Sequence, residues 1–146
     1  QFISNLIKQK LFINIESLQK EQASKQDKVF VLFLPDEEIH DIGLYYANYE
    51  ILSHGYKVIF LGQSLPMQDL TYLSTLYDNT VFISYLTVKP DNIEQYLADF
   101  KEHICPDGLC EYWLLGRKSI ELIENNTKLP EGIRAFRDIS ELTLNL

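Results

Sequence analysis

No stretch of this chain approaches the roughly 20 consecutive apolar residues needed to cross a bilayer, and no signal peptide opens it. The expectation is a cytoplasmic protein without a membrane partner. Basic residues are scarce: 13 lysines and arginines face 21 acids, a net charge of −8. That balance repels a phosphate backbone and argues against direct nucleic-acid binding by this piece. Neither Gly-x-Gly-x-x-Gly nor a P-loop is present, nor Gly-x-Ser-x-Gly or His-Glu-x-x-His, so these nucleotide-binding, hydrolase and zinc-protease signatures are missing. Cysteine is limited to Cys105 and Cys110, flanking the turn-like Pro106-Asp107-Gly108. With His103 they make three soft ligands where a structural zinc site needs four. Two ordinary thiols are the preferred reading, with zinc and a disulfide as alternatives.

What remains is an ordinary globular composition, 46% hydrophobic and 12% aromatic. At 146 residues, the chain fits one domain able to bury roughly 70% of its unfolded surface. Charge is unevenly spread: residues 1–28 hold five lysines against three acids. Together with the polar stretch Gln19 to Lys28, this marks a linker between two differently made parts. Before it, Phe2, Ile3, Leu6, Ile7, Ile13 and Leu18 fall near helical spacing. Residues 1–27 are therefore expected to be a helix and linker from an adjoining helical module, and 28–146 an α/β domain.

Within 28–146 four short apolar runs, Val29–Leu34, Lys57–Leu61, Thr80–Ser84 and Tyr112–Leu115, read as strands covered on both faces. A weaker fifth run, Ile133–Phe136, follows the turn signals Pro130 and Gly132. Helical patterns fall between them near 41–53, 67–77, 91–103 and 117–125, with a short one from 138. Ser53-His54-Gly55 is a helix stop with a left-handed glycine cap, and Asp138 is placed to cap the last helix. Alternation of this kind predicts a parallel sheet with right-handed crossovers. The expected architecture is flavodoxin-like, with strand order 2-1-3-4-5 and a switch point between strands one and three. Loops 35–41 and 84–90 should meet there, and ligands of open α/β sheets bind at such a crevice.

The segment Glu38-Ile39-His40-Asp41-Ile42-Gly43 lies at that crevice. It resembles the Asp-x-His-x-x-Gly signature of cobalamin-binding domains, in the Glu form found in MerR-type, CarH-like regulators. His54 to Gly62 is similar to the family's second strand, and Ser64-Leu65-Pro66 to its following turn. Ser84-Tyr85-Leu86 matches a Ser-x-Leu element, and Gly116 falls at the family's Gly-Gly pair, with Leu115 in place of the first glycine. The resemblance covers about residues 28–140.

It implies that His40 is the lower cobalt ligand of an adenosyl- or methyl-cobalamin, with Glu38 holding its other ring nitrogen. It further implies a cofactor site drawn from Glu38, His40, Asp41, Gly43, Ser64, Ser84, Leu86 and Gly116. In that site the glycines leave clearance for the displaced nucleotide tail. Ser84 would offer the buried base a hydroxyl, and Leu86 an apolar wall. The implied role is a ligand sensor of a MerR-family transcriptional regulator rather than an enzyme. It would work as a homo-oligomer that reaches DNA only through a separate N-terminal domain.

The upper-face Trp-nine-residues-Glu-His motif of such regulators is absent, because the only tryptophan, Trp113, lies in a predicted strand. Two alternatives stand beside the sensor: a degenerate domain kept as a dimerisation or partner-binding platform without cofactor, and a corrinoid carrier for methyl transfer. The acids Asp36-Glu37-Glu38 also resemble the magnesium pocket of receiver domains, but Ser84 or Tyr85 stands where the acceptor aspartate belongs. His54 and His103 read as helix-end residues complementing the dipole.

Overall fold

A computed structural model describes residues 2–146. Five strands form one parallel sheet in the order β2-β1-β3-β4-β5: β1 (Lys25–Pro35), β2 (Tyr56–Leu65), β3 (Thr80–Tyr85), β4 (Cys110–Leu115) and β5 (Ile133–Ala135). This is the expected α/β, flavodoxin-like topology. Alternate residues of each central strand enter different cores, because strand side chains change face with period two. Val31, Phe33, Phe82, Tyr112 and Leu114 pack with Leu97 and Phe100 of α4 (Ile93–His103) and Leu122 of α5 (Arg117–Glu124). Phe30, Leu32, Ile83 and Trp113 pack on the other face with Leu44, Ala47 and Ile51 of α2 (Ile42–Ser53) and Leu142 of α6 (Ile139–Thr143). Both faces are therefore dry, which explains why the strands read as continuous apolar runs.

Local signals end the helices where expected. Gly55 takes φ +87° after α2 and donates its N–H to the Leu52 carbonyl. Asp138 Oδ1 accepts the Glu141 N–H at 2.9 Å, and Asn92 Oδ1 accepts the Gln95 N–H at 3.1 Å. The pattern over 67–77 is one place where the structure departs from expectation. It forms a 3-10 turn, Met67–Leu70, and a single-turn α3, Leu73–Leu76. There the hydroxyls of Ser74 and Thr75 donate to the carbonyls of Thr71 and Tyr72, diverting backbone acceptors from a continuous helix. The cysteines are a second departure. The turn at 106–108 brings the Cα atoms of Cys105 and Cys110 to 5.6 Å, and the two are joined in a disulfide rather than left as thiols. Neither cysteine is then free to bind zinc.

Helix α1 (Phe2–Gln19) lies against α2. It buries Leu11 and Ile15, while Phe2, Ile3, Leu6, Ile7 and Ile13, part of the expected apolar face, are exposed. The Phe12 ring meets Tyr45 edge-on with centroids 4.7 Å apart. Lys8 Nζ lies 2.6 Å from Asp41 Oδ1. Strand β1 first meets β2 at Lys25, opposite Tyr56, and regular register runs from Val29 opposite Lys57, so only a short connection separates α1 from the sheet.

Asp41 is largely buried, and Lys8 is its ion-pair partner. Replacing Lys8 by Met is predicted to cost about 1–2 kcal/mol, less than a fully buried pair because the lysine is partly solvated. Urea denaturation measures that loss, and hydrogen exchange should show faster opening in α1 than elsewhere.

Candidate functional site

The segment after β1 turns sharply: the Glu38 N–H donates to the Pro35 carbonyl at 3.0 Å, and Glu37 sits at φ +67°. Ser64, at the end of β2 and itself at φ +54°, clamps this turn from the neighbouring strand. Its Oγ accepts the Glu37 N–H at 3.1 Å and lies 3.3 Å from Asp36 Oδ1, while its own N–H donates to the Glu38 carbonyl at 3.1 Å. Two non-glycine residues in the left-handed region concentrate backbone strain in this turn. Ser64 thus shapes the loop.

The turn drives the Glu38 side chain inward, to 1% exposure. Oε2 accepts the N–H groups of Val88 at 2.7 Å and Lys89 at 2.6 Å. Oε1 accepts the His40 N–H at 3.1 Å and lies 2.7 Å from His40 Nδ1. The loops after β1 and β3 therefore meet through one carboxylate, at the predicted switch point. Burial alone would raise the Glu38 pKa, but the N–H groups of Lys89 and Val88 and the ring and N–H of His40 outweigh it. Together they hold it at about 2. An ionised carboxylate against Nδ1 takes its proton as a hydrogen bond, so neutral His40 carries that proton on Nδ1 and a free lone pair on Nε2. The His40 side chain is 56% exposed. It lines a cavity of about 480 Å³ with Ile39, Asp41, Ile42, Gly43, Tyr85, Thr87 and, from α1, Ser4, Asn5 and Lys8. The site offers an oriented imidazole with a free ring nitrogen beside a cavity.

The other expected site residues divide. Asp41 precedes α2 and is spent on Lys8. Gly43 faces the Tyr85 ring, which stands 2.5 Å from where a Cβ would lie. Ser84 is fully buried on the opposite face of the sheet: its Oγ donates to the Phe33 carbonyl at 2.8 Å and accepts the Tyr112 hydroxyl at 2.8 Å. Burial pushes the Tyr112 phenol well above its ordinary range, so it remains a donor. Gly116, at φ +95°, passes the backbone of Leu86, whose carbonyl oxygen lies 2.5 Å from a Cβ built there. Leu86 is itself buried, with its N–H and carbonyl paired to Leu115 and Lys118. The clearance at both glycines is therefore taken by Tyr85 and by Leu86. Sequence reasoning did not single out Tyr112, Lys8 or the N–H groups of Val88 and Lys89. Only the last two carried a signal, the expected meeting of the two loops.

A larger cavity, about 750 Å³, opens at the other end of the sheet among residues such as Gln22, Lys25, Lys28, His54 and Lys57. It contains none of the expected site residues.

The Glu38 carboxyl is held below its ordinary pKa of 4.5, at about 2. It therefore contributes stability that is complete above about pH 4.5 and is lost as pH falls toward 2. By linkage that contribution is on the order of 3 kcal/mol. Glu38→Gln is predicted to lose stability of this order at neutral pH and to flatten the acid limb of the stability profile. Urea midpoints across that window test it.

No family model matches the chain, and no curated protein does. Among solved structures it is similar to the monomethylamine corrinoid protein of Methanosarcina barkeri. The TM-score is 0.66 at 15% identity over 93% of this chain and 64% of that one, so the chain spans less than two thirds of that neighbour's length. A cobalamin-binding protein from Desulfitobacterium hafniense gives a TM-score of 0.57 at 17% identity, over 99% of this chain and 69% of that one. At such identities the likeness establishes a shared fold.

Proposed function

We propose that this chain binds a corrinoid, with His40 Nε2 as the axial ligand to cobalt and Glu38 fixing the ring. The observation that carries the reading is the Glu38–His40 pair: a metal-binding histidine commonly gives its other ring N–H to a carboxylate, which sets the tautomer and raises ligand basicity. Further support comes from its position, at the switch point of a fold shared with two proteins described as corrinoid- and cobalamin-binding.

The lower-ligand half of the site fits this group: a partly exposed imidazole with one nitrogen held and the other free, beside a cavity. The half expected to receive the nucleotide tail does not fit, because Tyr112 stands against Ser84 and the Leu86 backbone against Gly116. When bound, the corrinoid would be held at cobalt by His40 Nε2 and would supply a metal centre able to exchange a ligand. The protein's part is to bind and orient, and we assign this chain no catalytic group of its own.

Two biological roles use such a module. A MerR-type sensor, joined to a separate DNA-binding domain, requires the ligand to favour one assembly state over another. A methyl-transfer carrier requires exchange with a methyltransferase instead. The M. barkeri neighbour is described as a corrinoid protein, so the carrier stands level with the sensor. A corrinoid-dependent change in sedimentation supports the first, and methyl exchange without such a change supports the second.

Absorption titration of the chain with a corrinoid tests the central assignment. His40→Ala is predicted to abolish the spectral change of imidazole coordination. Glu38→Gln is predicted to weaken binding about ten- to a hundredfold, the usual effect of removing an outer-shell partner. An unchanged spectrum in His40→Ala overturns the assignment.

A further inference from the structure

Ser84, Leu86 and Gly116 were expected to bound a slot for the nucleotide tail, yet each is committed to the protein itself. The single Ser84 hydroxyl proton goes to the Phe33 carbonyl, and the Tyr112 hydroxyl donates to Ser84 Oγ at 2.8 Å. The Tyr112 ring is packed rather than loosely seated: it stacks on Phe100 with centroids 4.2 Å apart and on Phe33 at 5.6 Å, and it is fully buried. Its phenol is an aromatic ring with a polar edge, placed where a heteroaromatic base would need to lie to meet Ser84. Admitting such a base would expel Tyr112 from a close-packed core and break its bond to Ser84. Nothing comparable obstructs His40, which lies at the surface cavity.

We infer that this chain takes corrinoids that lack the lower nucleotide, or that leave it in solvent, and that Tyr112 is the residue that sets this specificity. The inference rests on the proposed corrinoid binding at His40 and goes beyond it, because it names which corrinoids fit. Tyr112 acts by occupying the space beside Ser84 and by donating to its hydroxyl; it touches no cobalt.

The test is absorption titration of the chain with aquacobinamide, which has no nucleotide tail, and with hydroxocobalamin, which has one. A tailed corrinoid must also release its own base from cobalt, a cost common to every protein variant. The diagnostic quantity is therefore the ratio of the two affinities and how it changes on substitution. The wild-type chain is predicted to favour the tail-less compound, and Tyr112→Ala to narrow that preference by at least about tenfold, a factor equal to about 1.4 kcal/mol. Affinity for the tail-less compound should change little, which also reports that the variant is folded.

An unchanged ratio in Tyr112→Ala, or tighter wild-type binding of the tailed compound, overturns the inference while leaving corrinoid binding intact. No spectral change with either compound overturns both. Should Tyr112→Ala fail to fold, Ser84→Ala serves instead. The two compounds should then be affected equally, whereas selective weakening of the tailed one means that the tail reaches Ser84 and contradicts the inference.

Discussion

A single buried carboxylate organises the switch-point end of the sheet. Glu38 accepts hydrogen bonds from its own loop, from the loop after β3 and from the imidazole two residues on. A carboxylate removed from water is costly unless its lone pairs are filled, and here the filling groups come from both sides of the switch point. The charge therefore does two jobs with one set of contacts. It ties the β1 and β3 loops together across the crevice, and it fixes which nitrogen of His40 is available to a ligand. Losing it would loosen the loop geometry and free the imidazole at once.

The rest of the site is built to hold that carboxylate in place. Ser64 reaches from β2 to brace a turn in which Glu37 and Ser64 itself adopt left-handed backbone. On the other side, Gly116 lets the Leu86 backbone approach closely, and Leu86 pairs with both Leu115 and Lys118. That pairing fixes the start of the 86–90 loop, whose Val88 and Lys89 N–H groups meet Glu38. From outside, the Lys8–Asp41 ion pair and the Phe12–Tyr45 contact bring α1 against α2, so one wall of the His40 cavity depends on a helix with no part in the sheet. Stability and site are coupled because the same residues serve both.

Much of this was legible in the sequence. Strand order followed from the alternation of apolar runs with helical patterns. The meeting of the two loops followed from that order, and the Glu38–His40 pairing from the resemblance of the 38–43 segment to the Asp-x-His-x-x-Gly signature. What escaped had physical causes. Helix α1 is apolar on more than one side, so periodicity could not decide between the Leu11–Ile15 stripe and the exposed Phe2, Ile3 and Ile13. The break in 67–77 depends on hydroxyls choosing backbone acceptors. Pairing of Cys105 with Cys110 depends on the path of one turn. Tyr112 escaped for a different reason. In a strand it reads as core, and only the length of its side chain along the sheet brings its hydroxyl to Ser84.

In this geometry Glu38 holds His40 as the Nδ1-protonated tautomer, leaving the Nε2 lone pair free for a ligand. Nitrogen-15 NMR of the imidazole at about pH 8, where an ordinary histidine ring is neutral, reads this directly. The expected result is a protonated Nδ1 and an unprotonated Nε2 at His40, with that preference lost in Glu38→Gln. A ring protonated at Nε2, or one averaging freely between tautomers in the wild-type chain, would contradict it.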